Sequence, residues 1–550
     1  MNGPLLAPGY LLFRDAVSTP RSYLTDSALG LGESAPRAVP QDFAIAVAST
    51  VIDGGIVVKT LLIAALLLAG LGAGRLTQYL LPTAGLPGSF VAATMAVWNP
   101  YVAERLLQGH WSLLLGYGCL PWVARAVLRL RARSPQPASD WAALVFFIVL
   151  AGITPTGLIL AATVALVCLS ARGSGTKRLS GAAATLSIST LAALPWLIVT
   201  AVGGGLGSSQ ASGLAPFAAR AEPGLSTVGS LAGLGGIWNA EAVPESRTTL
   251  FALAATLVLL AVVANGLTVA VRIPAGIPLL VLALLSVLLP AVLATPIGTA
   301  ALRSAVTEVP GLAILRDTQK WVALAMPGYA LAGAAGVVRL GRMGVRPAVA
   351  ATGCCIALIA VLPDLGWGVG GHIQAVRYPP GWASVAAAVN ADPGRTIALP
   401  IDTMRQFSFS GPVPVLDPLP RWLKADTFAS GDLAIGNQLV PGEGNRARSV
   451  GELLLSGAPP AALADEGLDW VVHEKGTPGP MGLASRSLAR LPVVYSDPDL
   501  TLYRVGGTSP GVPQHIRVAG LGAHLVWTAL LIGGGMCLAV ARFKVFRRLR

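Results

Sequence analysis

Charge is scarce in this sequence. Only 12% of its 550 residues are charged, against roughly 25% in an ordinary soluble domain. With a mean hydropathy of +0.67, that scarcity excludes the soluble globular class. Cysteine is scarce too. Cys119, Cys168, Cys354, Cys355 and Cys537 all lie within apolar segments, and no two have metal-ligand spacing. A disulfide framework and a zinc site are therefore not expected. His372, His473 and His515 are scattered, again without ligand spacing. The chain has no P-loop, no dinucleotide glycine fingerprint, no HExxH, no GxSxG and no paired CxxC. It has no repeat at solenoid spacing. Near the start, Leu5, Leu6, Leu11 and Leu12 are interrupted by Pro4, Pro8 and Gly9. That run is too short and too broken for a signal peptide or an anchor.

Long apolar runs are abundant. A crossing helix needs about 20 apolar residues. Candidate segments are 57–75, 86–100, 111–129, 141–154, 156–171, 180–201, 248–271, 276–297, 319–338, 346–366 and 518–541. The stretch 141–171 is one apolar run broken at Thr154-Pro155-Thr156-Gly157, with basic residues at both ends. It reads as two short helices meeting at a break. The net charge of +13 is concentrated in loops such as Arg125–Arg133, Arg172–Arg178 and Arg339–Arg346, and in the tail from Arg542. That is the positive-inside pattern, which orients helices, and no nucleic-acid partner is expected. The expected fold is an all-α polytopic membrane protein of about 11 transmembrane helices with a small α/β extracytoplasmic domain.

The same pattern divides the chain. Residues 1–56 form an extracytoplasmic loop with acidic residues, and 57–367 form the membrane bundle. Residues 368–517 form a soluble extracytoplasmic domain, with strand-length runs at 396–399, 470–473, 491–495 and 500–505 separated by turn signals. Residues 518–550 supply the last helix and a basic cytoplasmic tail. The location is the plasma membrane. A segment that starts outside with no export signal before it is most simply explained by a twelfth helix ahead of Met1.

Chemistry-bearing residues collect in the outer segments. Asp15 follows Arg14 in the first segment and has no evident capping role. Asp42 precedes the apolar stretch 43–51 and suits either a catalytic carboxylate or the cap of a surface helix. The turn Trp98-Asn99-Pro100-Tyr101 leads to Glu104, Arg105, Gln108 and His110. Aromatics there suit an interfacial belt, but ionisable groups at membrane depth are functional candidates. Glu104 and Arg105 also suit a local ion pair. Arg316 and Lys320 are four apart, which on an α-helix places both on one face, suited to a lipid phosphate. Asp317 between them suits the helix macrodipole. Trp238 and Asn239 close a Gly- and Ser-rich loop, 202–247.

These stretches (9–20, 36–42, 98–111, 152–157, 217–239 and 315–321) resemble the GT-C superfamily of membrane glycosyltransferases, which use polyprenyl-phosphate sugars. The likeness is greatest to the N-terminal membrane part of actinobacterial α-(1→3)-arabinofuranosyltransferases. The Ala- and Gly-rich, Arg-over-Lys composition suits such a source. The resemblance implies transfer of arabinofuranose or mannose from a polyprenyl-phosphate donor to a glycan or lipid acceptor of the cell envelope. Asp15, with Asp42 second, would be the catalytic base. Arg316 and Lys320 would bind the donor phosphate. Glu104, Arg105, His110, Trp238 and Asn239 would bind substrate. No cofactor is required, though a divalent cation is compatible with the acidic loop. Two other readings stay open: a transporter or flippase for lipid-linked sugars, and a non-catalytic envelope assembly protein. The helix interiors offer few polar groups for a transport path, and an assembly role leaves the loop acids without a purpose.

Overall fold

The computed structural model describes residues 1–32, 38–202, 214–435 and 438–548. Glu33 and Arg37 of the acid-bearing segment, residues 203–213 of the Gly- and Ser-rich loop, and Arg550 of the tail lie outside the described residues.

Each of the eleven apolar segments contains helix. Helix α1 (Gln41–Ala48) precedes α2 (Gly54–Leu80). Asp53 caps α2, its carboxylate accepting from the Gly55 and Ile56 amides at 2.8 and 3.2 Å, which satisfies two of the donors every helix start leaves open. Then come α3 (Gly85–Val97), α4 (Pro100–Leu107), α5 (Trp111–Arg131), α6 (Pro137–Ala151), α7 (Pro155–Cys168) and α8 (Arg178–Val202). The break expected inside 141–171 is real. Thr154 caps α7 by accepting from the Gly157 amide at 3.1 Å, and Pro155 occupies the first helical position, where its missing N–H costs nothing. Further on lie α9 (Thr227–Ala232), α10 (Phe251–Ala270), α11 (Ile277–Leu293), α12 (Pro296–Glu308), α13 (Met326–Arg342) and α14 (Pro347–Ala360). The last helix is Gln514–Arg548.

The protein is a multi-pass membrane protein. By length and composition, six helical stretches among the described residues can cross a bilayer alone, or eight if two bent pairs each count as one. The pairs bend by 89° between α11 and α12 and by 85° after α14. The runs at 86–100, 141–154 and 156–171 become helices of 13, 15 and 14 residues, shorter than a full crossing. Helix α5 packs closely against two neighbours. A Cβ on its Gly116 would come within 2.9 Å of Gly157 on α7, and one on Gly118 within 2.4 Å of the Ala65 carbonyl on α2. Glycine there lets three helix backbones approach closely.

The soluble part is α/β, as expected. Its main sheet runs β11 (Val493–Ser496), β12 (Leu500–Arg504), β10 (Trp470–Glu474), β4 (Thr396–Leu399), β7 (Thr427–Phe428). The β10–β4 and β4–β7 pairs are parallel, and the other two are antiparallel. Smaller antiparallel pairs join β5 (Met404–Arg405) to β6 (Val415–Leu416), and β8 (Leu433–Ile435) to β9 (Gln438–Val440).

The first segment is more than a loop. Strand β1 (Tyr10–Phe13) lies between β2 (Ala16–Val17) and β3 (Ala375–Val376), both antiparallel to it. Successive side chains of a strand point to opposite faces. Here Leu11 and Phe13 enter the core of the membrane bundle. Leu12, with Val17 of β2, enters the aromatic core of the soluble part around Trp382, Phe407 and Trp422. One strand thus seals both cores.

Candidate functional site

Phe13 pairs with Ala16, so Arg14 and Asp15 form a two-residue turn between β1 and β2. Arg14 has φ +49°, a left-handed conformation that tight hairpins require and glycine usually supplies. Three contacts hold it. Its carbonyl accepts from the Leu416 amide at 2.9 Å. Its guanidinium donates to the Glu241 carboxylate at 3.2 Å and to the Glu241 carbonyl at 3.0 Å. From the other side Gly109, at φ +81°, packs so closely that a Cβ would fall 2.4 Å from the Ala16 nitrogen.

Asp15 sits at the tip of this turn with its side chain one-third exposed. Its Oδ2 accepts from His110 Nε2 at 2.9 Å and from Gln108 Nε2 at 3.2 Å. The Asp15 amide also donates to the Gln108 carbonyl at 3.3 Å. Burial disfavours the charged carboxylate, but the hydrogen bonds from His110 and Gln108 and the charge of Lys320 outweigh it, and the pKa of Asp15 falls below its ordinary value.

His110 is fixed from behind. Arg105 Nη1 lies 3.2 Å from His110 Nδ1. Guanidinium can only donate, so Nδ1 must accept and the proton must sit on Nε2, facing Asp15. The ring is therefore neutral. Burial lowers its pKa, opposed by Asp15 and helped by the charges of Arg105 and Lys320.

Arg105, fully buried, is the hub. It donates to Asp317 at 2.9 and 3.3 Å and to Gln319 Oε1. Gln319 Nε2 donates to Glu104 at 2.9 Å, and the other Glu104 oxygen accepts from the Gly236 amide at 3.0 Å. Asn239 Nδ2 donates to Gln108 at 2.8 Å. The structure thus gathers Asp15, Glu104, Arg105, His110, Asn239 and Lys320 into one network, together with Gln108, Asp317 and Gln319. Arg105 and Lys320 hold Asp317 at a pKa of about 2 against the raising effect of burial. Glu104 goes the other way. Burial first, then the nearby Glu222, push its pKa well above the usual range.

Four expectations change. Asp42 lies apart: Arg421 of the soluble part donates to it at 3.2 Å, and Pro40, not Asp42, occupies the cap position of α1. Arg105 pairs with both oxygens of Asp317 rather than with Glu104, whose two oxygens accept from Gln319 and the Gly236 amide. Asp317 therefore serves as more than a dipole partner. Arg316 and Lys320 do not share an α-helical face, since 310-helical turns over Pro310–Leu315 and Thr318–Ala325 flank the Asp317 position. Arg316 stacks on the Phe217 ring at 4.3 Å, whereas Lys320 Nζ lies 3.5 Å from Asp317. Trp238 packs edge-on against the same Phe217 at 4.5 Å.

Sequence reading missed the support beneath the 233–236 loop. Arg247 and Glu222 form a buried ion pair, with Arg247 Nε donating to Glu222 at 2.9 Å, and a Cβ on Gly235 would meet that carboxylate at 2.6 Å. The glycine run was the available signal. No group of three or more His, Cys, Asp or Glu side chains suited to a metal occurs among the described residues.

This architecture, a helical membrane bundle joined to a smaller α/β part, has solved counterparts. The fold is shared with the arabinofuranosyltransferase AftD from mycobacteria: TM-score 0.60 at 15% identity, over 92% of this chain and 39% of that one. A structure of the AftD mutant R1389S gives 0.56 at 16% identity, over 92% and 40%. The chain thus spans about two-fifths of the length of those proteins. No protein-family model matches the sequence, and no curated protein matches it significantly.

Proposed function

We propose that this protein is a membrane glycosyltransferase that moves arabinofuranose or mannose from a polyprenyl-phosphate donor to a glycan or lipid acceptor of the cell envelope. The observation that carries the reading is the Asp15 carboxylate. It stands on a tight turn, partly exposed, with two donors converging on one oxygen, and so is held in place as a general base must be. Asp42 is the weaker candidate, because Arg421 occupies it. The shared fold with AftD supports the class.

In the proposed step, Asp15 takes the proton of the acceptor hydroxyl. The hydroxyl oxygen attacks the anomeric carbon from the face opposite the phosphate. The carbon–oxygen bond to phosphate breaks, the phosphate leaves with the bonding pair, and the configuration inverts. Lys320, whose charge already acts on Asp15, would stabilise the departing phosphate together with Arg316. Gln108, His110 and Asn239 would orient Asp15 and the sugar. A divalent cation is not needed for this step.

The test is label transfer from radiolabelled polyprenyl-phosphoryl arabinose or mannose in membranes bearing wild type or Asp15→Asn. Transfer abolished by Asp15→Asn supports the reading. Transfer that survives the substitution removes Asp15 as the base. No transfer by folded wild type with either donor removes the function.

A further inference from the structure

The soluble part reaches the Asp15 turn through the β5–β6 pair. Arg405 of β5 stands directly opposite Val415 of β6, and Val415 in turn bridges to Arg14 in parallel register. The three residues form one row. Beside it the Leu416 amide donates to the Arg14 carbonyl at 2.9 Å. Arg14 immediately precedes Asp15, so whatever fixes β6 fixes the backbone that carries the carboxylate.

Strands β5 and β6 are two residues each, too short to hold a position by themselves. Arg405 anchors them. Its buried guanidinium donates to the Pro400 carbonyl and, at 3.5 Å, to the Ala398 carbonyl, at the end of β4. Its Nε lies 3.1 Å from Glu474 of β10, and its Nη2 lies 3.7 Å from Asp417, the residue after β6. One side chain therefore ties the pair to two neighbouring strands of the main sheet. Burial first, then Asp417, push the Glu474 carboxyl well above its usual range, and Arg405 opposes that shift. Without the guanidinium, the two buried acids would face each other with that opposition gone.

We propose that Arg405 is a positioning residue, which holds the β5–β6 pair against the main sheet so that β6 can hold the Arg14–Asp15 turn over the membrane bundle. The soluble part is then a template for the site. Its catalytic consequence rests on Asp15 being the base, whereas the positioning does not. Arg14 keeps its contacts with Glu241, and Asp15 keeps Gln108 and His110, so loss of Arg405 should loosen the turn rather than unfold it.

Two readouts on the full chain test this. Hydrogen–deuterium exchange of the detergent-purified protein follows the amides of residues 10–18, and label transfer follows the reaction. Arg405→Gln should speed exchange over 10–18 and lower kcat about tenfold to a hundredfold, with KM within about twofold. Arg405→Lys, which keeps the charge but not the fork, should recover part of the loss. Leu416→Pro deletes the amide donor itself, leaves the buried cluster in place, and should act like Arg405→Gln. Since the two lie on one path, the double variant should lose no more than the worse single one. Arg448→Gln breaks the Arg448–Asp432 pair elsewhere in the soluble part and should leave both readouts unchanged. Unchanged exchange over 10–18 in Arg405→Gln or Leu416→Pro overturns the proposal, as do equal losses in Arg448→Gln or multiplied losses in the double variant. Faster exchange with undiminished transfer overturns the role in the reaction. Folded wild type that transfers no label removes the transferase reading alone, and exchange then decides the positioning.

Discussion

Asp15 Oδ2 and His110 Nε2 meet at 2.9 Å across 95 residues of chain, and the Arg105 guanidinium on the far side of the ring leaves the imidazole one tautomer. The base of the proposed reaction is thus oriented by a neutral histidine that is itself oriented by a permanent cation.

Removing that ring should change both rate and pH dependence. His110→Ala deletes a hydrogen bond that lowers the Asp15 pKa. The carboxylate then protonates at higher pH, and the acid limb of the transfer profile moves upward. Turnover should fall about tenfold to a hundredfold, because the base loses its orientation. A pH–rate series on the two proteins checks both effects, and an unmoved acid limb would sink the assignment.

Gly109 should tolerate no side chain. Alanine there meets a left-handed φ and the backbone of Phe13 and Ala16 at once. The Asp15 turn must shift to make room. Gly109→Ala should therefore reach the membrane in folded form yet lose about a hundredfold in transfer, the typical cost of a displacement near 1 Å. Activity within twofold of wild type would contradict the packing.

Asp317 makes acid stability readable. Its folded pKa of about 2 lies below the ordinary aspartate value of 3.8. The stability this confers is complete above that higher value and is lost as pH falls toward 2. Asp317→Asn should cost about 3–5 kcal/mol at neutral pH by leaving Arg105 buried without its counter-charge, and should flatten the acid limb of a melting-temperature series.

Glu104 should be needed for both of its acceptors. Gln319 Nε2 donates to one of its oxygens and the Gly236 amide to the other. Glu104→Gln turns one acceptor into a donor facing a donor, and Glu104→Ala strands both partners, so each should cost about 1–3 kcal/mol. Melting temperatures of the three proteins check this, and a Gln variant as stable as wild type would contradict it.

Much of this was legible in the sequence for physical reasons. Helices in apolar surroundings must satisfy their own backbones, so the runs themselves locate α2, α5 and α10. Thr154-Pro155 announces its own cap, and β4, β10 and β12 stand out as apolar runs between turn residues. Asp15 and the Glu104–His110 turn were singled out, but the bonds joining them were not. Arg105 reaches Asp317 across 212 residues, and no local spacing encodes such a pair. Arg316 and Lys320 misled because an α-helical period was applied to a segment that adopts tighter 310 turns. The two-sided role of β1 was hidden because Tyr10-Leu11-Leu12-Phe13 is apolar at every position and shows no alternation.

That strand also sets a timetable for synthesis. Leu11 pairs with Ala375, so 364 residues separate the two partners. A ribosome adding about 5–20 residues per second needs roughly 20–70 s to cover that distance. For that interval Leu12 lacks the aromatic core it will enter and β1 has a bare edge, since β3 does not yet exist. The turn bearing Asp15 can be clamped only after most of the bundle has been inserted, which makes the carboxylate among the last features of the site to be set in place.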